Sequence, residues 1–139
     1  MNLSKFALAA VAAAFVMSST AVFAADILAP RAPASAKGVT NPVASSADSV
    51  SLGEELFQEI GCNGCHGDDG AGAGPASAGM DPAPRNFTNG SWQAARTDGE
   101  LRHTIFQGSD GTAMIANQAM FDEEDDVWHV VNFIRSLKK

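Results

Sequence analysis

Apolar residues recur at helical spacing in the stretch that begins near residue 50. The residues that would share one face of this helix are Leu52, Leu56, Phe57 and Ile60. Ser49 or Ser51 can cap its N-terminus, and Glu54 stands three residues after Ser51, as in a capping box. Gly61 follows the last apolar position and is a typical C-terminal stop. The pattern therefore predicts an amphipathic helix that ends just before residue 62.

A second helix is predicted over residues 98–107, with Asp98 as its N-cap and Gly108 as its stop. The apolar residues that would face inward on it are Leu101, Ile105 and Phe106. Residues 67–97 are rich in Gly, Pro, Asn and Asp, which predicts loops with a short helical turn near 90–95.

The last helix is predicted from about Asp122 to the C-terminus. Its apolar stripe consists of Val127, Val130, Val131, Ile134 and Leu137. Acidic residues 122–126 in its first turns, together with Lys138 and Lys139 at its end, complement the helix dipole. Because no stretch alternates convincingly enough to be a strand, the sequence predicts an all-α fold.

The first 24 residues have the pattern of an export signal. Lys5 supplies the positive charge, an apolar run follows, and Val22 and Ala24 are small enough for the −3 and −1 positions of a cleavage site after Ala24. The alternative is an uncleaved membrane anchor, but the apolar run is shorter than the roughly 20 residues that a spanning helix needs. We therefore expect a cleaved signal peptide over 1–24, a periplasmic protein, and no stable membrane insertion after cleavage.

The chain that remains after cleavage has two parts. Residues 25–49 are dominated by Ala, Pro and Ser, which predicts a flexible segment, and residues 50–139 form one small domain. Loss of Lys5 with the signal peptide leaves 8 basic residues against 16 acidic ones. A domain this acidic is a poor ligand for nucleic acid or anionic lipid, but it can meet a basic protein surface.

The only two cysteines of the chain lie in CNGCH, at Cys62 and Cys65, and His66 follows directly. A thioredoxin-like redox pair lacks the preceding βαβ pattern, and a zinc site lacks a second ligand pair. A disulfide between these two residues would close a very small loop and contribute little stability. Thiols at i and i+3 share one helical face, so they can form thioethers with the two vinyl groups of one porphyrin while His66 binds the iron. C-x-x-C-H in an exported chain therefore predicts one covalently attached haem c.

Four stretches of this domain resemble the class I c-type cytochromes, especially small bacterial monohaem domains. They are GEELFQEIGCNGCHG, the GAGP of 72–75, the APRNF of 83–87, and the GTAM of 111–114 followed by VWHVVNFIRSL. The resemblance covers residues 50–139. It implies the class I cytochrome c fold, with helices wrapped around one covalently bound haem. It also implies that the first and last helices cross, with Gly53 and Phe57 meeting Phe133. Four-helix-bundle cytochromes resemble the chain less, because their CxxCH lies near the C-terminus.

The residues alone leave the second axial iron ligand open. The candidates are Met80, Met114, Met120, His103 and His129. The resemblance implies Met114, which lies in a loop before the last helix. Many relatives have a proline after this methionine, whereas this chain has Ile115.

The resemblance also implies two supporting residues. The backbone carbonyl of Pro75 would accept the second N–H of His66. Arg85 would lie near a haem propionate, and the other interpretation of Arg85 is an ordinary solvated arginine. Trp92 and Trp128 would pack on the haem or seal the core.

These observations predict a periplasmic one-electron carrier with His66 and Met114 as iron ligands, and not an enzyme. The alternatives are the haem c subunit of a larger periplasmic oxidoreductase and a haem-based gas sensor. We expect a monomer whose partners are redox proteins with a basic docking face.

Overall fold

A computed structural model describes residues 32–139 of the protein. The predicted signal peptide and residues 25–31 lie outside the described residues. Within these residues five α-helices follow one another: α1 (Ala47–Glu59), α2 (Asn63–His66), α3 (Gly90–Ala94), α4 (Asp98–Gln107) and α5 (Asp126–Ser136). Short 3₁₀ helices span Ala34–Gly38 and Gln118–Met120. The described part of the chain contains no strand, so the prediction of an all-α fold is confirmed. Between residues 32 and 139, no helix is both long and apolar enough to cross a membrane.

Helices α1 and α5 pack directly against each other. A Cβ atom on Gly53 would lie 2.0 Å from the backbone oxygen of His129 and 2.9 Å from Cβ of Phe133. Glycine at this position therefore lets the two backbones touch. One turn further along α1, the rings of Phe57 and Phe133 lie 5.2 Å apart. The predicted meeting of Gly53 and Phe57 with Phe133 is confirmed.

The core lies along this helix contact and extends under α3 and α4. Its buried members are Phe57, Phe87, Trp92, Leu101, Ile105, Phe106, Val127, Trp128, Val130, Val131, Phe133 and Ile134. Buried polar groups tie the helices together beside it. Gln93 donates to the carbonyl oxygens of Phe87 and Ile134, at 2.8 and 2.7 Å. Arg135 of α5 binds Asp98 and the backbone oxygens of Gln93 and Arg96. These bonds fix α3 and the start of α4 against the end of α5.

Three helix boundaries differ from the prediction. Helix α1 begins earlier, because the Ser46 hydroxyl rather than that of Ser49 or Ser51 accepts from the backbone, at Ser49 N. Helix α4 is capped by Thr97 in a capping box with Glu100, and Asp98 is its first residue. Helix α5 begins at Asp126, so residues 122–125 form the turn that precedes it. The periodicity places the apolar faces well but cannot decide which of several polar residues is the cap.

The segment before α1 is described from residue 32 onward, and that part differs from the flexible segment predicted for residues 25–49. Its described part packs on the helices: Gly99 of α4 lies against the backbone oxygens of Ala36 and Val39. The Asn41 amide donates to Asn132 of α5 at 2.9 Å, and Asn132 donates to the carbonyl of Val43 at 3.2 Å. The alanine and proline composition could not predict these contacts, because the residues that bind the segment lie in distant parts of the chain.

The α1–α5 contact generates a test of stability. Gly53→Ala should lower the free energy of unfolding by about 1–3 kcal/mol or more, since the new methyl group overlaps the backbone of α5. Gly38→Ala is the matched control, because a Cβ there meets nothing within 4 Å. Guanidinium unfolding of the purified protein, followed by helical circular dichroism, measures both. Equal stability of the two variants would contradict the role given to Gly53.

Candidate haem-binding site

The end of α1 delivers Cys62 to the site. Gly61 has a φ of 86°, a value that glycine adopts without strain. Its N–H donates to Gln58 O at 3.0 Å, and the N–H of Cys62 donates to Phe57 O at 2.9 Å. This pair of bonds is a Schellman motif, which ends the helix and packs the next residue back against its last turn. The first cysteine is therefore held by the same Phe57 that packs on α5.

Helix α2 brings the three residues of the motif together. The N–H groups of Cys65 and His66 both donate to Cys62 O, at 3.3 and 3.0 Å. The two cysteines are half-buried and form no disulfide. Burial raises the pKa of the Cys62 thiol to about 11, which leaves little thiolate for redox exchange near neutral pH. Residues 32–139 contain no group of three or more His, Cys, Asp or Glu side chains that could hold a metal ion.

His66 is held in one orientation by two neighbours. The ring is 8% exposed, and its Nδ1 lies 3.0 Å from the backbone oxygen of Arg85. It stacks on Phe87, with ring centroids 4.3 Å apart and planes 19° apart. Burial lowers the pKa of His66, and the bond to Arg85 O opposes this in part. When Nδ1–H donates to this carbonyl, the neutral imidazole leaves its Nε2 lone pair for a metal.

The partner of His66 is therefore the carbonyl of Arg85, and the prediction of Pro75 is wrong. Pro75 is exposed. The loop around Pro75 instead forms hydrogen bonds with the backbone of the CNGCH motif. The N–H groups of Gly72, Gly74 and Ala76 donate to His66 O, Cys65 O and Gly64 O, at 2.7, 3.0 and 2.7 Å respectively. The N–H of Phe87 donates to Gly70 O at 2.7 Å, and this bond holds the segment that contains Arg85 close to the imidazole.

A cavity of about 270 Å³ adjoins the motif. Cys62, Cys65 and His66 all border it, and so does Met114. Most of its wall is apolar, and the buried large apolar residues in that wall are Phe87, Trp92, Leu101, Ile105 and Ile134. Trp128 is buried in the core and does not border the cavity.

Two of the five candidate axial ligands border the cavity, Met114 and Met80. Met120, His103 and His129 are not among its lining residues, and His129 Nδ1 instead lies 2.9 Å from Ser49 Oγ. The two candidate histidines therefore do not lie at the cavity wall.

The backbone of Met114 is fixed on both sides. Its N–H donates to Thr112 Oγ1 at 3.1 Å, and its carbonyl accepts from Ser109 N at 2.9 Å. Gly108 lies so close to this loop that a Cβ would be 2.7 Å from Met114 O. These bonds hold the loop in a chain where Ile115 replaces the proline of many relatives.

Arg85 borders the cavity, and its place beside a haem propionate stays a prediction. Two further charged residues of the wall, Arg96 and Glu100, were not predicted. The T-x-x-E pattern at 97–100 could have identified Glu100 as a capping residue, but nothing local indicates that the side chain lies in a cavity wall.

The set of groups around the cavity fits haem c. Two neighbouring thiols can form thioethers, an oriented imidazole and a thioether sulfur can ligate iron, and the apolar wall suits a porphyrin. The two arginines provide positive charge for propionates. One CxxCH motif in the chain fits one such group.

Comparison with known proteins agrees with this geometry. The family model for cytochrome c matches residues 50–138. A chain in the solved structure of the Kuenenia stuttgartiensis reducing HAO-like protein complex Kustc0457/Kustc0458 aligns with a TM-score of 0.60 and 22% identity. The alignment covers 73% of this chain and 48% of that one, so this protein corresponds to about half of its neighbour. No curated protein matches the chain. The family match over residues 50–138, together with the placement of Cys62, Cys65 and His66 at the cavity, shows that the chain belongs to the cytochrome c family.

Proposed function

We propose that the protein is a periplasmic one-electron carrier with one haem c, bound through Cys62 and Cys65 and ligated by His66 and Met114. The observation that carries this proposal is a cavity that is bordered both by Cys62, Cys65 and His66 and by a methionine whose backbone is anchored on both sides. The export signal predicted for residues 1–24 supports the periplasmic location.

When bound, haem c supplies a ferric–ferrous couple that transfers one electron at a time. The chain's own residues orient it and exclude water. Arg85 O fixes the His66 ring through Nδ1, while Phe87 and Trp92 close the buried side of the cavity. If His66 and Met114 hold the iron, it would offer no open position to a substrate, which favours a carrier over an enzyme.

The rim of the cavity supports contact with a protein partner. Ile115 borders the cavity and yet is 73% exposed, and the neighbouring Ala113 is also exposed. Exposed carboxylates stand in the same loops: Asp81 lies between the lining residues Met80 and Pro82, and Asp110 follows Ser109. An apolar rim with acidic neighbours suits a partner with a basic docking face, and a brief encounter needs a small interface, on the order of 1,200 Å² or less.

A second candidate is the haem c subunit of a larger oxidoreductase. The structural neighbour comes from a chain in a protein complex, which supports this alternative. The gas sensor requires release of Met114, and the two backbone bonds of that residue favour a retained ligand. A carrier should purify alone, whereas a subunit should co-purify with a partner. A sensor should bind carbon monoxide without any substitution of Met114.

The first prediction concerns attachment. Protein isolated from the periplasm should have the intact mass of residues 25–139 plus one haem, and the haem should survive acid–acetone extraction. Cys62→Ala should retain one thioether, and the double change of Cys62 and Cys65 to Ala should give little or no holoprotein. Haem lost to acetone, or a mass that includes residues 1–24, would contradict the proposal.

The second prediction separates the two cavity methionines. Met114→Ala should abolish the weak long-wavelength sulfur-to-iron band and allow carbon monoxide to bind. It should also lower the reduction potential, by a sizeable part of the ~0.8 V range that axial ligands span. Met80→Ala is the matched control and should keep the band. The assignment fails if Met80→Ala removes the band and Met114→Ala does not.

The third prediction concerns steering by charge. Stopped-flow reduction by hexaammineruthenium(II), a cation, should slow as salt rises, whereas oxidation by the hexacyanoferrate(III) anion should quicken. Screening over a Debye length of about 8 Å near 0.15 M salt is the cause. Changing Asp81 and Asp110 to Asn should flatten both dependences. Changing Glu54 and Glu55 to Gln, on the exposed face of α1, should alter them less. Rates that do not respond to salt would defeat the steering hypothesis and leave the carrier function intact.

A further inference from the structure

Glu100 of α4 is a charged residue in an unusual place. It is 2% exposed, although it lies in the first turn of its helix. Its Oε2 accepts from the backbone N–H of Thr97 at 2.8 Å, which completes the capping box. Its Oε1 is buried and has no hydrogen-bond partner among the described residues.

The surroundings of Glu100 connect it to the cavity. The described lining contains three residues with charged side chains apart from the histidine, namely Arg85, Arg96 and Glu100. Glu100 is thus the one acidic residue in the described wall of a protein with 16 acidic residues. Burial lowers the pKa of Arg96, and attraction to Glu100 opposes that change. The two side chains therefore interact electrostatically.

A capping role alone accounts for only one of the two carboxylate oxygens. A capping-box glutamate needs one oxygen at the N-cap N–H, and the rest of the side chain can stay in water. Here the whole carboxylate is removed from water, which is costly for a charged group without full compensation. The helix N-terminus, the Thr97 N–H and Arg96 stabilise its negative charge. Capping does not explain why the carboxylate of Glu100 is buried in the wall of the cavity.

We propose that Glu100 sets the reduction potential of the bound haem by favouring the ferric state. This inference rests on the proposed haem site. Reduction adds one electron and removes one unit of positive charge from the iron. A fixed negative charge in a low-dielectric wall stabilises the more positive, ferric state, so it lowers the potential. Arg96 acts in the opposite direction. Glu100 is a positioning residue for Thr97 and a source of charge, and it is not an iron ligand.

The test is Glu100→Gln in the holoprotein. Glutamine keeps a carbonyl oxygen for the Thr97 N–H and removes only the charge. At a fixed solution potential, pH and salt, the ferrous-to-ferric ratio should rise by roughly tenfold, which is about 59 mV for a one-electron couple. Two controls should each change the ratio by less than about twofold. Glu124→Gln removes an exposed carboxylate that pairs with Arg102, and Thr97→Ala removes the cap without changing the charge.

The outcomes separate this inference from the proposed function. Absence of covalent haem in the wild-type protein, measured by the pyridine haemochrome spectrum, would overturn both. A normal haem content with a Glu100→Gln ratio within twofold of wild type would overturn the inference alone. A Thr97→Ala shift as large as that of Glu100→Gln would also overturn it, since capping would then explain the effect. If Glu100→Gln yields no holoprotein, Arg96→Gln decides: the ratio should fall, and a rise contradicts the inference.

Discussion

The backbone contact between α1 and α5 at Gly53 is the constraint on which the rest of the structure depends. Because no side chain separates the helices there, Phe57 reaches Phe133 and the next turn of α1 is fixed relative to α5. The two hydrogen bonds of the Schellman motif then hold Cys62 in a fixed position relative to the last turn of α1. On the other side, α5 contributes Ile134 to the cavity wall. The close approach at Gly53 thus determines the position of Cys62 and also the position of Ile134 in the cavity wall.

The haem motif is held in place mostly by backbone groups. Gly74 can approach α2 closely because it has no side chain, and the amides of Gly72 and Gly74 satisfy carbonyl oxygens that a helix as short as α2 leaves unpaired. The imidazole is then fixed from the other side by Arg85 O and Phe87. This arrangement leaves the side chains of the motif available for the cofactor, because few of them are needed to hold the motif itself.

The sequence predicted the parts that depend on local pattern. Apolar periodicity located the faces of α1, α4 and α5, and the spacing in CNGCH pointed to the candidate haem site that the cavity now adjoins. It did not predict the partner of His66, because many carbonyls could reach that ring and the path of the intervening loop decides among them. It also missed Ser46 and Thr97 as caps, and the burial of Glu100. Each of these depends on contacts between distant residues, as with the packing of Ala36 and Val39 on Gly99.

Met114 and Met80 differ in a way that bears on the proposed choice of iron ligand. Both side chains border the cavity, and both carry the same thioether, so chemistry does not distinguish them. Their backbones do. Met80 lies in a loop where its N–H bonds to Ser77 O at 3.1 Å, whereas Met114 is bonded through both its N–H and its carbonyl and lies against Gly108. A weak metal–sulfur bond persists best when little conformational entropy is lost on forming it. Preorganisation of the 108–114 loop therefore supports the proposal that Met114 is the ligand.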